Sequence, residues 1–340
     1  MNGSAGVDRG WLLLSLVLTS VVGLADGLLG RESVLAGLLV VGPVVACARL
    51  DARRTALVGG YALLLALLLG PVNDIWGTAD HLLRIVVLAT GSVLSVYLAR
   101  SRTLREHALG NVARAAQEAI LLPVSEQVGG VRIATRYRSA SRDALVGGDL
   151  FDVVNARIGV RVLIGDARGK GISSTQTAAA ALRGFRNAAY TQATLPEVAK
   201  SMEAELVGRI GPEDFVTAAL AEFSPGQVTL VNCGHHPPVL LDGDVSFLEP
   251  HEPEPPLGMG STPRVRTVRL QPGQRVLLYT DGLAEARNAD GEMFDVLSGA
   301  HRIGGLMDPE EALDAMLELM DAHTGGSRDD DVALVLCRPL

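Results

Sequence analysis

Between Trp11 and Ala99 the chain is a nearly unbroken run of Leu, Val, Ala and Gly, interrupted by short polar breaks at Arg31-Glu32, Arg49 to Arg54 and Pro71 to His81. Four apolar stretches result, roughly 11–29, 33–48, 55–70 and 82–99. A bilayer core of about 30 Å takes ~17–25 helical residues, so the first and last stretches fit a span and the middle two are marginal. We therefore expect about four membrane spans, the second and third short or tightly paired. From Ser101 to Leu122 the pattern changes. Leu104, Ala108, Val112, Ala115 or Ala116, and Ala119 recur at three- and four-residue steps with Arg105, Glu106, Arg114 and Glu118 between them. This spacing predicts an amphipathic helix that continues the last span and is stopped by Pro123. Such a helix can pair with its copy in a homodimer or cover the domain that follows, and the sequence leaves both open.

Beyond Val131 the period alternates between two and 3.6. Residues 131–137, 150–154, 161–164, 215–223, 227–232, 239–241, 245–248, 275–280 and 332–337 read as strands, and 172–190, 195–208 and 309–322 as helices. Neighbouring strands with helices grouped apart predict an α+β sandwich rather than a doubly wound parallel sheet. The expected organisation is a transmembrane helical domain over 1–100, a linker helix over 101–123 and a globular domain over 124–340.

Basic residues suggest a direction. Arg49, Arg53 and Arg54 lie between stretches two and three, and Arg100, Arg102 and Arg105 follow stretch four, whereas the connection between three and four has Asp74 and Asp80 and no Lys or Arg. The positive-inside rule then places both termini and the C-terminal domain in the cytoplasm of a multi-pass plasma-membrane protein. A signal peptide over 1–29 competes, but no small-x-small cleavage site follows and three more apolar stretches do. Asp26 and Arg84 fall near span ends, as interfacial residues or as a sensory or pairing site.

Composition agrees with this division. Hydrophobic residues are 48%, aromatic residues only 4%, and 38 acids against 30 bases give a net charge of −8. The excess of aliphatic residues belongs to the N-terminal block, and the acidic balance argues against a nucleic-acid partner. Cys47, Cys233 and Cys337 lie far apart with no CxxC pair, so neither a disulfide framework nor a cysteine zinc site is encoded.

Candidate chemistry lies in aspartates placed against strands. Asp166 follows Val162-Leu163-Ile164 with one glycine between, and Asp281 follows the strand ending at Thr280. Asp329, Asp330 and Asp331 precede the strand that opens at Val332, and Asp149 ends Val146-Gly147-Gly148 just before Leu150. One such aspartate is ordinarily a turn or cap residue. Four strand ends gathered in one sandwich would repel in a low-dielectric cleft unless a divalent cation joined them. Hard oxygen donors without a His or Cys set favour Mg²⁺ or Mn²⁺ over zinc, and a pair of such ions suits phosphate-ester hydrolysis. The stretch 165–171 is not a P-loop, because Lys170 is followed by Gly171 and Gly165 is out of register. His235-His236 followed by Pro237-Pro238 reads as a loop rather than a metal pair.

Together these residues resemble a known family. Arg136-Tyr137, Val146-Gly147-Gly148-Asp149-Leu150-Phe151-Asp152, Ile164-Gly165-Asp166 with Gly169-Lys170-Gly171, Asn232-Cys233-Gly234-His235-His236-Pro237-Pro238, Leu278-Tyr279-Thr280-Asp281-Gly282-Leu283 and Asp330-Asp331-Val332 occur in the order of SpoIIE/RsbU-like protein phosphatases. These form the bacterial branch of the metal-dependent, type-2C (PPM) Ser/Thr phosphatases. The resemblance runs over about 115–338 and includes Gln117 to Pro123, similar to the family's regulatory linker ending. It implies an αββα sandwich with two Mn²⁺ or Mg²⁺ ions held by Asp149, Asp166, the Ala167 carbonyl, Asp281 and Asp330. Asp152 would not touch metal directly, and Asp329 and Asp331 would stand behind the ligands or in solvent. The implied activity is hydrolysis of phosphoserine or phosphothreonine on a cytoplasmic regulator such as an anti-sigma-factor antagonist. The alternative is a catalytically silent membrane receptor whose sandwich only binds a partner. Two departures from the pattern stand out: Lys170 occupies a position where many relatives have His, and no phosphate-binding arginine is evident, although Arg142 and Arg168 lie nearby.

Overall fold

Leu, Val and Ala fill long helices readily, and where no partner covers them they need lipid or a protein core. In the computed structural model, which describes residues 2–29, 35–120, 124–139, 148–211, 213–326 and 330–340, the chain divides into two compact units, Met1–Ala108 and Leu109–Leu340.

The first unit holds α1 (Asn2–Leu29), a short helix α2 (Val41–Cys47) preceded by a 3-10 turn over Leu35–Val40, α3 (Ala52–Val72) and the start of α4 (Ala79–Ile120). Three of these helices contain segments long and apolar enough to cross a membrane, Asp8–Leu29, Ala52–Val72 and Ala79–Glu106, and Gly37–Cys47 is a shorter apolar one. The second expected span is thus broken. Pro43 lacks the N–H that a continuous helix would bond, Gly37 and Gly42 weaken the helix further, and the 3-10 and α segments together rise only ~22 Å. Arg54 pairs with Asp8 at 2.5 Å, Arg49 lies over the Trp11 ring, and Asn73 donates to the buried Asp26 at 3.0 Å, so α1 and α3 run parallel. Arg102 donates to the Cys47 and Leu50 carbonyls, which brings the basic turn after α2 level with the basic segment of α4. Leu13, Val17, Val21, Leu24 and Leu28 on α1, and Leu83, Val86, Val87, Val93 and Leu94 on α4, are exposed, more large apolar side chains than a unit surrounded by water ordinarily shows. Arg84 is tied to Asp80 one turn earlier at 2.6 Å.

The expected linker helix is part of α4, which is helical as far as Ile120, while Pro123 lies outside the described residues.

The second unit is built on two antiparallel sheets. The six-stranded sheet has the order β1 (Gln127–Val128), β2 (Val131–Arg138), β11 (Val332–Pro339), β10 (Arg275–Tyr279), β7 (Val239–Leu241) and β8 (Ser246–Phe247). The five-stranded sheet has the order β3 (Asp149–Asn155), β4 (Val160–Ala167), β5 (Val216–Ser224), β6 (Gln227–Cys233) and β9 (Val265–Arg269). Alternating positions go to opposite faces. Val162, Ile164 and Ala221 pack between the sheets against Val276, Leu278 and Val335, while Leu163 and Leu220 turn out beneath α5 (Ile172–Thr191) and α6 (Leu195–Val207). Across the other sheet Leu277 and Leu336 meet α8 (Val296–Ile303) and α9 (Pro309–Thr324). The four layers are helix, sheet, sheet, helix, the αββα architecture expected. Cys47, Cys233 and Cys337 are free thiols.

Candidate metal centre

In the β3–β4 hairpin Asp149 stands directly opposite Asp166, which in turn stands opposite Thr217 on β5. In the facing sheet β10 runs antiparallel to β11, so the end of β10, where Asp281 opens the one-turn helix α7 (Asp281–Ala284), adjoins the start of β11, where Asp330 and Asp331 lie. Each acid sits at a strand end because the apolar strand residues before or after it are claimed by the core.

Thr280 and His235 join the sheets at this end. Thr280 Oγ donates to Asp149 Oδ2 at 2.7 Å and accepts from the Ala333 amide at 2.9 Å, holding the Asp149 carboxylate against rotation. His235 is half-buried, with Nε2 3.0 Å from the Tyr279 carbonyl and Nδ1 2.9 Å from the Thr217 hydroxyl. Because a carbonyl only accepts, Nε2 carries the proton and Nδ1 accepts from Thr217. Burial holds this imidazole neutral, its pKa pushed down to about 3. His236 stacks on the Tyr279 ring, so the two histidines act as a cross-sheet bond and a ring contact. Two glycines are needed by close approach: a Cβ on Gly148 would lie 2.0 Å from the Ala167 carbonyl oxygen, and one on Gly282 would lie 1.8 Å from that of Asp331.

The electrostatics are unbalanced. Burial, then the Asp166 charge, raises Asp149 well above the usual carboxylate range. Burial, then Asp281, Asp330 and Asp331, pushes Asp166 up to about 8, and burial with Asp330 and Glu285 raises Asp281. The Lys170 ammonium answers this charge, 2.9 Å from Asp330 Oδ1. Among the described residues no three His, Cys, Asp or Glu side chains already stand close enough together to hold an ion. The donor set nevertheless fits a hard divalent cation, because oxygen groups that raise one another's pKa are relieved by positive charge between them.

The neighbouring acids have other partners. Asp152 pairs with Arg186 at 2.5 Å. Asp331 is buried rather than solvated, accepting from Tyr137 at 2.7 Å and Ser139 at 3.2 Å. Arg168 is turned away, donating to the Glu213 carbonyl at 2.5 Å and lying over the Phe215 ring, while Arg142 and Asp329 lie outside the described residues. Sequence reasoning passed over Thr280 and the Lys170 ion pair; a hydroxyl residue immediately before Asp281 and a lysine between glycines were the available signals.

This sandwich defines a PP2C-type phosphatase fold. The SiaA-PP2C domain of Pseudomonas aeruginosa superposes with a TM-score of 0.61 at 18% identity, over 71% of this chain and 99% of that one. The RsbU and RsbW domains of Rv1364c from Mycobacterium tuberculosis give 0.54 at 25% identity, over 62% and 60% of the two chains. Protein IcfG of Synechocystis sp. is 26% identical over 122 residues, 34% of this chain, and the match spans only 19% of that relative's length. Residues 157–339 match the family described as Stage II sporulation protein E (SpoIIE); this is more than half of the chain, and the protein belongs to that family.

Proposed function

We propose that the protein is a membrane-anchored, metal-dependent Ser/Thr phosphoprotein phosphatase acting on a cytoplasmic regulator of the anti-sigma-factor-antagonist type. The observation that carries this reading is the arrival of Asp149, Asp166, Asp281 and Asp330 from both sheets at one end of a PP2C-type sandwich. Those four side chains and the Ala167 carbonyl would hold two Mn²⁺ or Mg²⁺ ions. When bound, the ions supply a hydrolytic nucleophile at neutral pH and neutralise charge on the phosphoryl group.

The chain's own residues do the positioning. Thr280 fixes the Asp149 carboxylate, His235 keeps the strand ends that carry Asp166 and Asp281 in register, and Gly148 and Gly282 let the backbones close on one another. None of these roles needs a covalent enzyme intermediate.

Support for a regulatory phosphoprotein substrate comes from the likeness to the RsbU-containing chain at 25% identity. Support for anchoring comes from three helices long and apolar enough to cross a membrane. Support for a cytoplasmic catalytic domain comes from the arginines at 49–54 and 100–105, which Arg102 brings to one level of the helical unit.

The full chain in detergent micelles, assayed on p-nitrophenyl phosphate and on phosphorylated candidate regulators from the same genome, tests the reading. Activity is expected to require Mn²⁺ or Mg²⁺, to vanish with chelator and to fall at least ~100-fold in Asp281→Ala, more than loss of an outer-shell partner costs. Activity that survives chelation would sink the dinuclear mechanism. A chain that binds metal and a phosphorylated regulator without releasing phosphate would be the silent receptor instead.

A further inference from the structure

We infer that Lys170 is the side chain that holds the substrate's phosphate, a role that no arginine among the described residues is placed to take; this rests on the phosphatase reading above. Among the described residues, the arginines around the acidic end are committed elsewhere. Arg168 is held by the Glu213 carbonyl and Phe215, Arg186 by Asp152, Arg136 by Asp314 at 2.6 Å, and Arg138 by Asp321 at 2.8 Å. Among the described residues, Lys170 is the cation set against the aspartates themselves, its ammonium 2.9 Å from Asp330 and within the fields of Asp166, Asp281 and Asp331.

The pairing it makes is easily exchanged. Lys170 and Asp330 are 41% and 43% exposed, and an ion pair so open to water is weak and readily replaced. Divalent charge at the acids would remove the reason for the ammonium to stay on Asp330, and a phosphate dianion arriving at the same end then offers it a stronger partner. The loop is built to present the side chain, because Gly169 and Gly171 both adopt φ of 96°, so the backbone turns sharply on either side of Lys170. Lys170 thus passes from Asp330, before cations bind, to the non-bridging oxygens of the phosphate afterwards. The same ammonium competes with metal for Asp330, so its removal affects the two ligands in opposite directions.

Calorimetry on the full chain in micelles tests this with two probes, Mg²⁺ alone and then inorganic phosphate added to the Mg²⁺-saturated protein. Lys170→Gln is expected to weaken phosphate about tenfold, equivalent to ~1.4 kcal/mol, while Mg²⁺ binds as tightly as before or tighter. Lys170→Arg, which keeps the charge, is expected to hold phosphate within about threefold of the wild type. Unchanged phosphate affinity in the Gln variant would overturn the assignment, and so would weaker Mg²⁺ binding, which would make Lys170 a support for the acids. Failure of the wild type to bind Mg²⁺ would be seen before any variant is made; it would overturn the phosphatase reading and this assignment with it.

Discussion

The β3–β4 hairpin carries a buried charge near each of its ends. Near the turn lies Arg161, opposite Val154, and at the open end lies Asp149, opposite Asp166; both charged side chains are almost completely buried. The guanidinium is fully answered. It donates to Glu222, its cross-strand partner on β5, at 2.7 Å, and to the Ala189, Gln192 and Ala193 carbonyls where α5 ends. The carboxyl group faces other carboxyl groups: Thr280 donates to it against the fields of Asp166, Asp281 and Asp331. A buried charge whose donors all find acceptors anchors a helix to a sheet. Buried acids that raise one another's pKa, with a single exposed lysine against them among the described residues, mark a place built for positive charge beyond what those residues supply.

Breaking the satisfied end has the largest expected effect. Arg161→Ala leaves Glu222 without its partner and strips the donors from three carbonyls at the end of α5, and loss of one member of a buried pair costs about 3–5 kcal/mol. Chemical unfolding of the full chain in detergent should show this loss equally with and without Mg²⁺. A loss that disappeared on adding Mg²⁺ would mean that the turn end and the acid end are not separate.

The sequence already displayed one side of this comparison. Aspartates bordering runs such as Val162-Leu163-Ile164 are visible because strand periodicity stops at them, and α5 and α9 were expected within two residues of their observed ends. What the pattern hid depends on tertiary context. The edge strand β9, Val-Arg-Thr-Val-Arg, exposes Val265, Thr267 and Arg269 and so lacks a clean apolar face. Helix α8 is eight residues long with Gly299 at its centre, tolerated because that position closes on Phe294 and Met316. The second apolar stretch looked like one span because apolar composition does not distinguish an α-helix from a 3-10 turn that leads into one. Neither Thr280 with Asp149, 131 residues apart, nor Lys170 with Asp330 is a local event, and both appear only once the two sheets face each other.

Thr280 allows a finer test at the acid end. Thr280→Val keeps the shape but removes the donor to Asp149 and leaves the buried Ala333 amide without its acceptor. The expected loss is about 1–3 kcal/mol of stability. Mg²⁺ affinity, read by calorimetry, should fall as well, because the Asp149 carboxylate is freed to rotate. Thr280→Ser retains both bonds and should restore metal binding, leaving only a lost methyl group in the unfolding midpoint. If the serine variant bound Mg²⁺ as poorly as the valine variant, the hydroxyl would not be what orients Asp149.

The smallest expected effect has the opposite sign and distinguishes the two ends most sharply. Asp166 is pushed up to about 8 from an ordinary 3.8, so between those values the unfolded chain has released a proton that the folded protein keeps. Its contribution to stability is therefore complete below about pH 4 and is lost as pH rises through about 8. In chelator, Asp166→Asn should flatten that decline and leave the protein more stable than the wild type at pH 8, by on the order of 1 kcal/mol, the equivalent of less than a full pKa unit. Added Mg²⁺ should reverse the order, because the wild type gains the stabilisation of a ligand that binds only the folded state and the variant does not. Arg161→Ala, made at the other end of the same hairpin, should show no such reversal. If Asp166→Asn were destabilising in chelator at pH 8, the acid would be serving the fold in the way Arg161 does, and the electrostatic distinction between the two ends of the hairpin would be lost.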